Sequence, residues 1–266
     1  MAAFPLPHRT VRLVAALALA LVLLPVPGTV AREPGAGGPA GASDNRRADA
    51  AKPFRLNLAR RSDYVAQTSF VQCVGASVQI MLNIIEPGAD RTRRTQRQLQ
   101  DLARTWSGPR PDGRLRQGAG VSGWAAALTI NRAGAYRVVG ADTLDEAMRI
   151  AATAIREYRK PVGLLVWQGR HAWVMSGFEA TGDPVDGSFR VTRAYILDPL
   201  YPHGSDEWGA SPKPGTAIPV SQVGEQFVRR RSLVSGSPWN RLPGMARLAG
   251  KYVLVVPTGP IRPGID

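Results

Sequence analysis

The chain has 266 residues, with 34 Lys and Arg against 20 Asp and Glu, so its formal net charge is +14. Hydrophobic residues make up 44% and charged residues 20% of the chain, which fits a globular protein and excludes a disordered or fibrous one. With one cysteine and three histidines, the chain has no internal disulfide framework and no cysteine-based zinc site, and its histidines are too few for a histidine-rich metal site.

The first 31 residues have the layout of a secretory signal peptide. Arg9 and Arg12 precede an unbroken apolar run at residues 13–24, and small residues follow at 29–31. The run is shorter than the roughly 20 residues that a membrane-spanning helix needs, so we expect cleavage; an uncleaved anchor is the alternative. A secreted or cell-envelope-associated protein, with no stable membrane span after leader removal, follows from this prediction.

The remaining chain divides into three predicted segments. Residues 32–53 are rich in Gly, Ala and Pro and have almost no bulky apolar side chain, as in a flexible linker. Residues 54–257 form the predicted folded domain, and residues 258–266 form a C-terminal tail. There is no internal repeat and no second linker, which favours one domain.

The first part of the domain is predicted to be helical. Capping-box patterns at Thr95 with Gln98 and at Thr143 with Glu146 mark two helix starts. Apolar residues at helical spacing support the helices. The predicted helices cover residues 74–85, 96–106, 122–131 and 144–158.

The hydrophobic pattern then changes to that of strands. A segment dense in turn formers, residues 180–188, separates two of the runs. The predicted strands cover residues 161–167, 172–179, 189–197 and 251–257, with a short helix at 221–230. Helices ahead of an antiparallel sheet predict an α+β fold.

The lone cysteine, Cys73, lies at the predicted start of the first helix, directly after a loop. A small buried core residue is one interpretation, since free cysteines are often buried. The other is a catalytic nucleophile, because the positive end of a helix dipole and its unpaired N–H groups favour a thiolate.

His171 and Asp198 are candidate partners of Cys73. His171 opens one strand of a predicted hairpin, Asp198 closes the other, and both lie the same number of residues from the turn at 182–187. In a ladder without a bulge they would be directly opposed, close enough for an imidazole–carboxylate hydrogen bond. A polar pair at the mouth of a surface hairpin is the alternative.

Gln67, six residues before Cys73, is the candidate for stabilising an oxyanion together with the Cys73 backbone N–H. Gln72 is its rival, but a sequence neighbour usually points away from the nucleophile. Trp167 is predicted to pack in the core. Trp173 lies on the same strand face as His171, where packing in the core and flanking the site are both possible. His203 lies in a turn-rich segment and is expected at the surface.

The order Gln67, Cys73, His171, Asp198 resembles that of papain-like cysteine peptidases, and most closely the bacterial group related to bacteriocin-leader-processing peptidase domains. The resemblance covers roughly residues 64–256. It departs from the group at Val74, where glycine is frequent, and at Gln72, where Asp or Ser is frequent. The resemblance to exported cell-wall hydrolases with an Asp-Cys-Ser-Gly signature is poorer, since that signature is absent.

The resemblance implies a papain-like fold and a role for each residue. Cys73 would attack as a thiolate, His171 would act as acid and base, Asp198 would orient His171, and Gln67 would bind the oxyanion. No metal or organic cofactor is required.

The function expected from the sequence is therefore an exported cysteine peptidase acting on a peptide or protein substrate. The alternatives are a non-catalytic envelope-binding module on a peptidase-like fold, an acyl transferase, and a cell-wall amide hydrolase. Arginines cluster at residues 91–97 and 229–231; they are either a solvated face or a contact for an anionic cell-envelope polymer. No nucleic-acid motif is present.

Overall fold

A computed structural model describes residues 52–88, 90–108, 117–231 and 246–259. The predicted leader, nearly all of the predicted linker and most of the predicted tail lie outside these residues. The described residues form five α-helices: α1 (Cys73–Ile85), α2 (Arg93–Thr105), α3 (Val121–Ile130), α4 (Leu144–Tyr158) and α5 (Val220–Gln226).

Nine strands accompany these helices in the described part of the chain. They are β1 (Phe54–Asn57), β2 (Tyr136–Ala141), β3 (Val162–Val166), β4 (His171–Ala180), β5 (Val191–Leu197), β6 (Gly204–Ser205), β7 (Gly209–Ala210), β8 (Ala217–Pro219) and β9 (Tyr252–Pro257). Seven of them form an antiparallel sheet in the order β2-β9-β3-β4-β5-β8, with β1 paired to β4. The short strands β6 and β7 pair separately. The mixed α+β class predicted from the sequence is confirmed.

The long central strand β4 is the hub of the sheet. Its first half, from His171 to Met175, pairs with β3, and its second half, from Gly177 to Ala180, pairs with β1. Its other edge pairs with β5. At the start of β4, His171 pairs with Val166 of β3, which fixes its position on that edge of the sheet.

Both faces of the sheet are covered by helices. Successive strand residues point to opposite faces, and in β4 Trp173 and Met175 join one apolar core while Ala172 and Val174 join another. Helices α4 and α5 cover the first core, whereas α1, α2 and α3 cover the second. Helix α1, which begins at Cys73, is thereby seated directly against β4.

Glycines allow the close approach of the helices on the second face. A Cβ atom at Gly75 would lie 2.8 Å from the Gln96 carbonyl oxygen, and one at Gly123 would lie 1.9 Å from the Ala103 carbonyl oxygen. Gly75 therefore lets α2 pack on the first turn of α1. The glycine that the resemblance places directly after the cysteine is here one residue later and serves this contact.

The predicted element boundaries agree with the structure in part. Helix α2 is capped by Thr92, whose side chain accepts a hydrogen bond from the Thr95 N–H; the predicted cap at Thr95 is one turn too late. The predicted cap at Thr143 is confirmed by its bond from the Glu146 N–H. Strands β1 and β2 were not predicted, so the helices do not simply precede the sheet.

Among the residues that the structure describes, no helix is both long enough and apolar enough to cross a membrane.

The contact between Gly163 on β3 and Trp124 on α3 yields a stability prediction. A Cβ atom at Gly163 would lie 2.5 Å from the Trp124 ring, so Gly163→Ala should lower the free energy of unfolding by about 1–3 kcal/mol. Urea denaturation measures it. Gly88→Ala is the matched control, because no described heavy atom other than its neighbours lies within 4 Å of the added Cβ; it should change stability by less than about 0.5 kcal/mol. Equal effects would contradict the packing argument.

Candidate active site

Cys73 is the first residue of α1 and is partly exposed. Its backbone N–H lies in the first helical turn, where no carbonyl of a preceding turn is available as a partner. The structure therefore places the thiol where the sequence predicts it, at a helix N-terminus that opens to solvent.

His171 and Asp198 are hydrogen-bonded to each other. His171 Nε2 lies 2.7 Å from Asp198 Oδ1, and the side chains are 3% and 0% exposed. Asp198 Oδ1 also accepts a bond from the Leu200 N–H at 2.8 Å. The carboxylate is thus held from two sides and fixes one nitrogen of the imidazole ring.

The predicted direct opposition of His171 and Asp198 across the hairpin is wrong. The ladder between β4 and β5 ends at the pair Val174 and Leu197 and has two register irregularities. The connection between β4 and β5 is asymmetric about the predicted turn. Phe189 in this connection packs in the core, and β5 begins only at Val191. The resulting offset is two residues, which preserves the face of the sheet, so the side chains still meet as diagonal neighbours.

Cys73 is a second hydrogen-bond partner of the His171 side chain. Because Asp198 holds Nε2, Nδ1 is the nitrogen available to the thiol. Burial opposes a charged imidazole, but hydrogen bonds to Asp198 and Cys73 and the charges of both groups outweigh it and raise the pKa of His171 to about 9. The ring therefore keeps its proton at neutral pH.

A hydrogen bond sets the position of α1 relative to β4. Ser77, one turn after Cys73, is fully buried, and its hydroxyl donates to the carbonyl oxygen of Ala172 at 3.4 Å. Ala172 follows His171 directly. The bond joins the element that carries the thiol to the element that carries the imidazole.

Gln67 lies beside this site but is engaged locally. Its backbone N–H donates to the Pro199 carbonyl oxygen at 2.7 Å, directly after Asp198. Its side-chain Nε2 donates to the Ser69 carbonyl oxygen at 3.0 Å, while its Oε1 is buried with no partner among the described residues. Of the two amide N–H groups, one remains for a ligand. The side chain of the rival Gln72 accepts a bond from the Thr68 hydroxyl.

Two buried glutamines of α2 that were not predicted as site residues fix the loop before Cys73. Gln96 bonds to the Ala66 carbonyl and to the Thr68 N–H, at 3.0 and 2.8 Å. Gln100 bonds to the Val71 carbonyl and the Gly75 N–H, at 3.0 and 2.8 Å. Their spacing of one helical turn on a polar helix was the available signal.

The core role predicted for Trp167 is wrong, whereas Trp173 takes the core position of its two possible roles. Trp173 is fully buried in the core. Trp167 is partly exposed and stacks on His171, with ring centroids 4.1 Å apart and planes 24° apart. Trp167 reaches this position through left-handed backbone at three consecutive residues, Trp167, Gln168 and Gly169, a conformation that costs energy at the two that are not glycine.

Tyr64 also borders the pair. Its hydroxyl donates to the Tyr201 carbonyl oxygen at 2.7 Å. Burial, followed by the nearby charge of Asp198, raises the pKa of Tyr64 well above its ordinary value. The phenol therefore stays protonated and is a donor next to the carboxylate.

The remaining candidates lie at the surface. His203 is exposed and lines a cleft together with Phe70. Arg91 and Arg93 line a second cleft, of about 370 Å³, with Gln67 and without an acidic residue. Across the described ranges, no group of three or more His, Cys, Asp or Glu side chains is arranged to hold a metal ion.

Comparison with known proteins adds no family. No model of a known protein family matches the chain, and no curated protein is found to be similar to it.

The stack of Trp167 on His171 yields a pH-dependent prediction. An aromatic face attracts a cation within about 6 Å, so Trp167→Leu, which keeps an apolar side chain at this position but removes the aromatic face, should lower the midpoint of the His171 titration by about one pH unit. Trp167→Phe, which keeps an aromatic face, should lower it less. NMR titration of ¹⁵N-labelled histidines measures the midpoints.

Trp106→Ala is the control for this experiment, because Trp106 is 57% exposed and ends α2. It should leave the His171 titration unchanged. Identical midpoints in the wild type and Trp167→Leu would contradict a role of the indole in stabilising the charge.

Proposed function

We propose that the protein is an exported papain-like cysteine peptidase that hydrolyses peptide or related amide bonds. The observation that carries the proposal is the buried imidazole of His171, which is hydrogen-bonded to Asp198 through Nε2 and has Cys73 as its second partner. A nucleophile, a base and an orienting carboxylate in contact are the requirements of acyl transfer through a covalent intermediate.

In the acylation step, the Cys73 thiolate attacks the carbonyl carbon of the scissile amide and forms the C–S bond. His171, protonated at neutral pH because of its raised pKa, donates its proton to the leaving nitrogen as the C–N bond breaks. The amine departs and Cys73 is left as a thioester.

In the deacylation step, neutral His171 accepts a proton from water, and the resulting hydroxide attacks the thioester carbon. The C–S bond breaks, a carboxylic acid is released and the thiolate–imidazolium pair returns. Asp198 stays ionised throughout and holds the imidazole in one orientation.

The oxyanion of each step needs N–H donors at its position. The Cys73 backbone N–H and the second amide N–H of Gln67 are the proposed donors. Gln67 is held near the site by its backbone bond to Pro199, and the loop between Gln67 and Cys73 is held by Gln96 and Gln100.

The thiolate–imidazolium pair is tested by alkylation of Cys73 with iodoacetamide between pH 5 and pH 9. An ordinary thiol, with a pKa near 8.5, reacts slowly at pH 6. The wild type should react on the order of 100-fold faster at pH 6 than His171→Ala. Since Cys73 is the only cysteine, mass spectrometry follows a single adduct.

The guanidinium-unfolded wild type supplies the reference rate of an ordinary thiol in the same sequence. A folded wild type that reacts at this reference rate at pH 6 would refute the proposed mechanism. Thermal melting of His171→Ala establishes that its lower rate is measured on folded protein.

The role of Asp198 is tested with Asp198→Asn. The variant keeps the shape of the side chain but removes the charge that helps to retain the proton on His171. The alkylation rate at pH 6 should fall at least about tenfold, which corresponds to loss of a charge-assisted hydrogen bond. Asp183→Asn is the control. Asp183 lies in the loop after β4, at the opposite end of the strand from His171, and pairs with Arg156 of α4. If Cys73 is alkylated at pH 6 as fast in Asp198→Asn as in Asp183→Asn, Asp198 is not part of the site.

Bond cleavage itself is tested by incubation with a mixed peptide library and mass spectrometry of the products. Cleavage should be present in the wild type and absent in Cys73→Ala. Added amine acceptors distinguish the two reactions of a thioester, since an acyl transferase yields amides where a peptidase yields acids. Fast alkylation without either product would favour a binding module on a peptidase-like fold.

A further inference from the structure

Phe70 is the most exposed large apolar side chain of the described residues, with 87% of its surface accessible. It lies three residues before Cys73, and Val71 beside it is also exposed. Single exposed apolar residues are ordinary on protein surfaces, so exposure alone assigns no role to Phe70. Its surroundings are what distinguish it.

A cleft of about 480 Å³ lies against Phe70. Its opposite wall is the paired segment of β6 and β7 with the residues that lead into it. Apolar and small residues dominate this lining, and Asp206 is the only charged residue among them. The lining residues are Phe70, Pro202, His203, Gly204, Ser205, Asp206, Gly209 and Ala210.

Hydrogen bonds anchor both walls of the cleft to the body of the protein. On one side, Gln100 Nε2 donates to the Val71 carbonyl oxygen at 3.0 Å. On the other side, Gln226 Nε2 donates to the Ala210 carbonyl oxygen at 3.0 Å, and Arg170 pairs with Glu207 at 2.7 Å. Phe70 therefore remains exposed although an apolar wall lies close to it.

Both walls are also continuous with the proposed catalytic groups. The first wall leads from Phe70 into Cys73 at the start of α1. The second wall follows Asp198 in the chain after a turn. The turn is closed by a hydrogen bond from the Tyr201 N–H to the Asp198 carbonyl oxygen at 3.1 Å. The cleft is thus lined by residues that lie three before Cys73 and four or more after Asp198 in the chain.

We propose that the cleft between Phe70 and the β6–β7 segment binds an apolar side chain of the substrate, next to the scissile bond. The proposal rests on the proposed function and defines its substrate class as peptides with a bulky apolar residue at that position. Aromatic and proline rings supply the apolar contact, while Gly204, Gly209 and Ala210 leave space for the incoming side chain.

The test uses two pairs of covalent probes, so that no natural substrate is needed. N-iodoacetyl-leucinamide and N-iodoacetyl-serinamide place the side chain on the leaving-group side, and the chloromethyl ketones of N-acetyl-leucine and N-acetyl-serine place it on the acyl side. In at least one pair, the leucine probe should label Cys73 about tenfold faster than the serine probe.

Two variants should remove this preference by opposite means. Phe70→Ala removes one wall, and Ala210→Trp fills the cleft with a ring; in both, the leucine and serine probes should react at nearly equal rates. Val185→Ala is the control, because Val185 is 69% exposed but lies in the connection beyond the far end of β4. It should keep the preference of the wild type.

The outcomes separate the two proposals. Iodoacetamide, which carries no side chain, reports the thiol in every variant. Slow reaction of the wild type with iodoacetamide would refute the catalytic proposal, whereas fast reaction with equal rates in both probe pairs would refute the cleft alone. If Phe70→Ala leaves the preference intact and converts a dimer to a monomer in size-exclusion chromatography, the cleft is a self-association surface and the substrate proposal is wrong.

Discussion

The buried hydrogen bond between His171 and Asp198 is the constraint around which the sheet and its neighbours are arranged. Two ionisable groups removed from water are stable only when each is paired. The contact satisfies Asp198 Oδ1, yet Oδ2 has no partner among the described residues. A core built for stability alone would have apolar residues in these places, because a buried ion pair repays its desolvation poorly. The pair is therefore better explained by chemistry than by folding.

The scaffold positions this pair through the strands paired with β4 and the helix packed on it. β4 is paired along both edges, and α1 is tied to it by the Ser77 hydroxyl. The thiol thus belongs to a helix on one face, while the imidazole and carboxylate belong to neighbouring strand ends. Relative motion of Cys73 and His171 would require sliding α1 along a close-packed interface, which protein interiors resist.

The extent to which the sequence predicts this arrangement depends on how local each signal is. Helix α4 and its cap at Thr143 are local in sequence and were predicted. Strands β1 and β2 were missed because one has only four residues and the other contains Gly140, which weakens their pattern. The predicted register of the hairpin was wrong, because the register depends on which residues of the long connection between β4 and β5 pack in the core. The contact of His171 with Asp198 survived this error, since a two-residue offset keeps side chains on the same face.

The stacking of Trp167 on His171 could not be predicted from the sequence, because it also depends on the conformation of a connection between strands. An apolar residue at the end of a buried strand is ordinarily core, and only the left-handed turn at residues 167–169 directs the ring onto His171. The same indole donates from Nε1 to Gln226 Oε1 at 2.9 Å, and Gln226 holds Ala210. One amide therefore connects the plane of the imidazole to the wall of the cleft opposite Phe70. The proposed substrate cleft and the proposed catalytic imidazole thus share a contact, since Gln226 is bonded both to the Ala210 carbonyl and to the indole that stacks on His171.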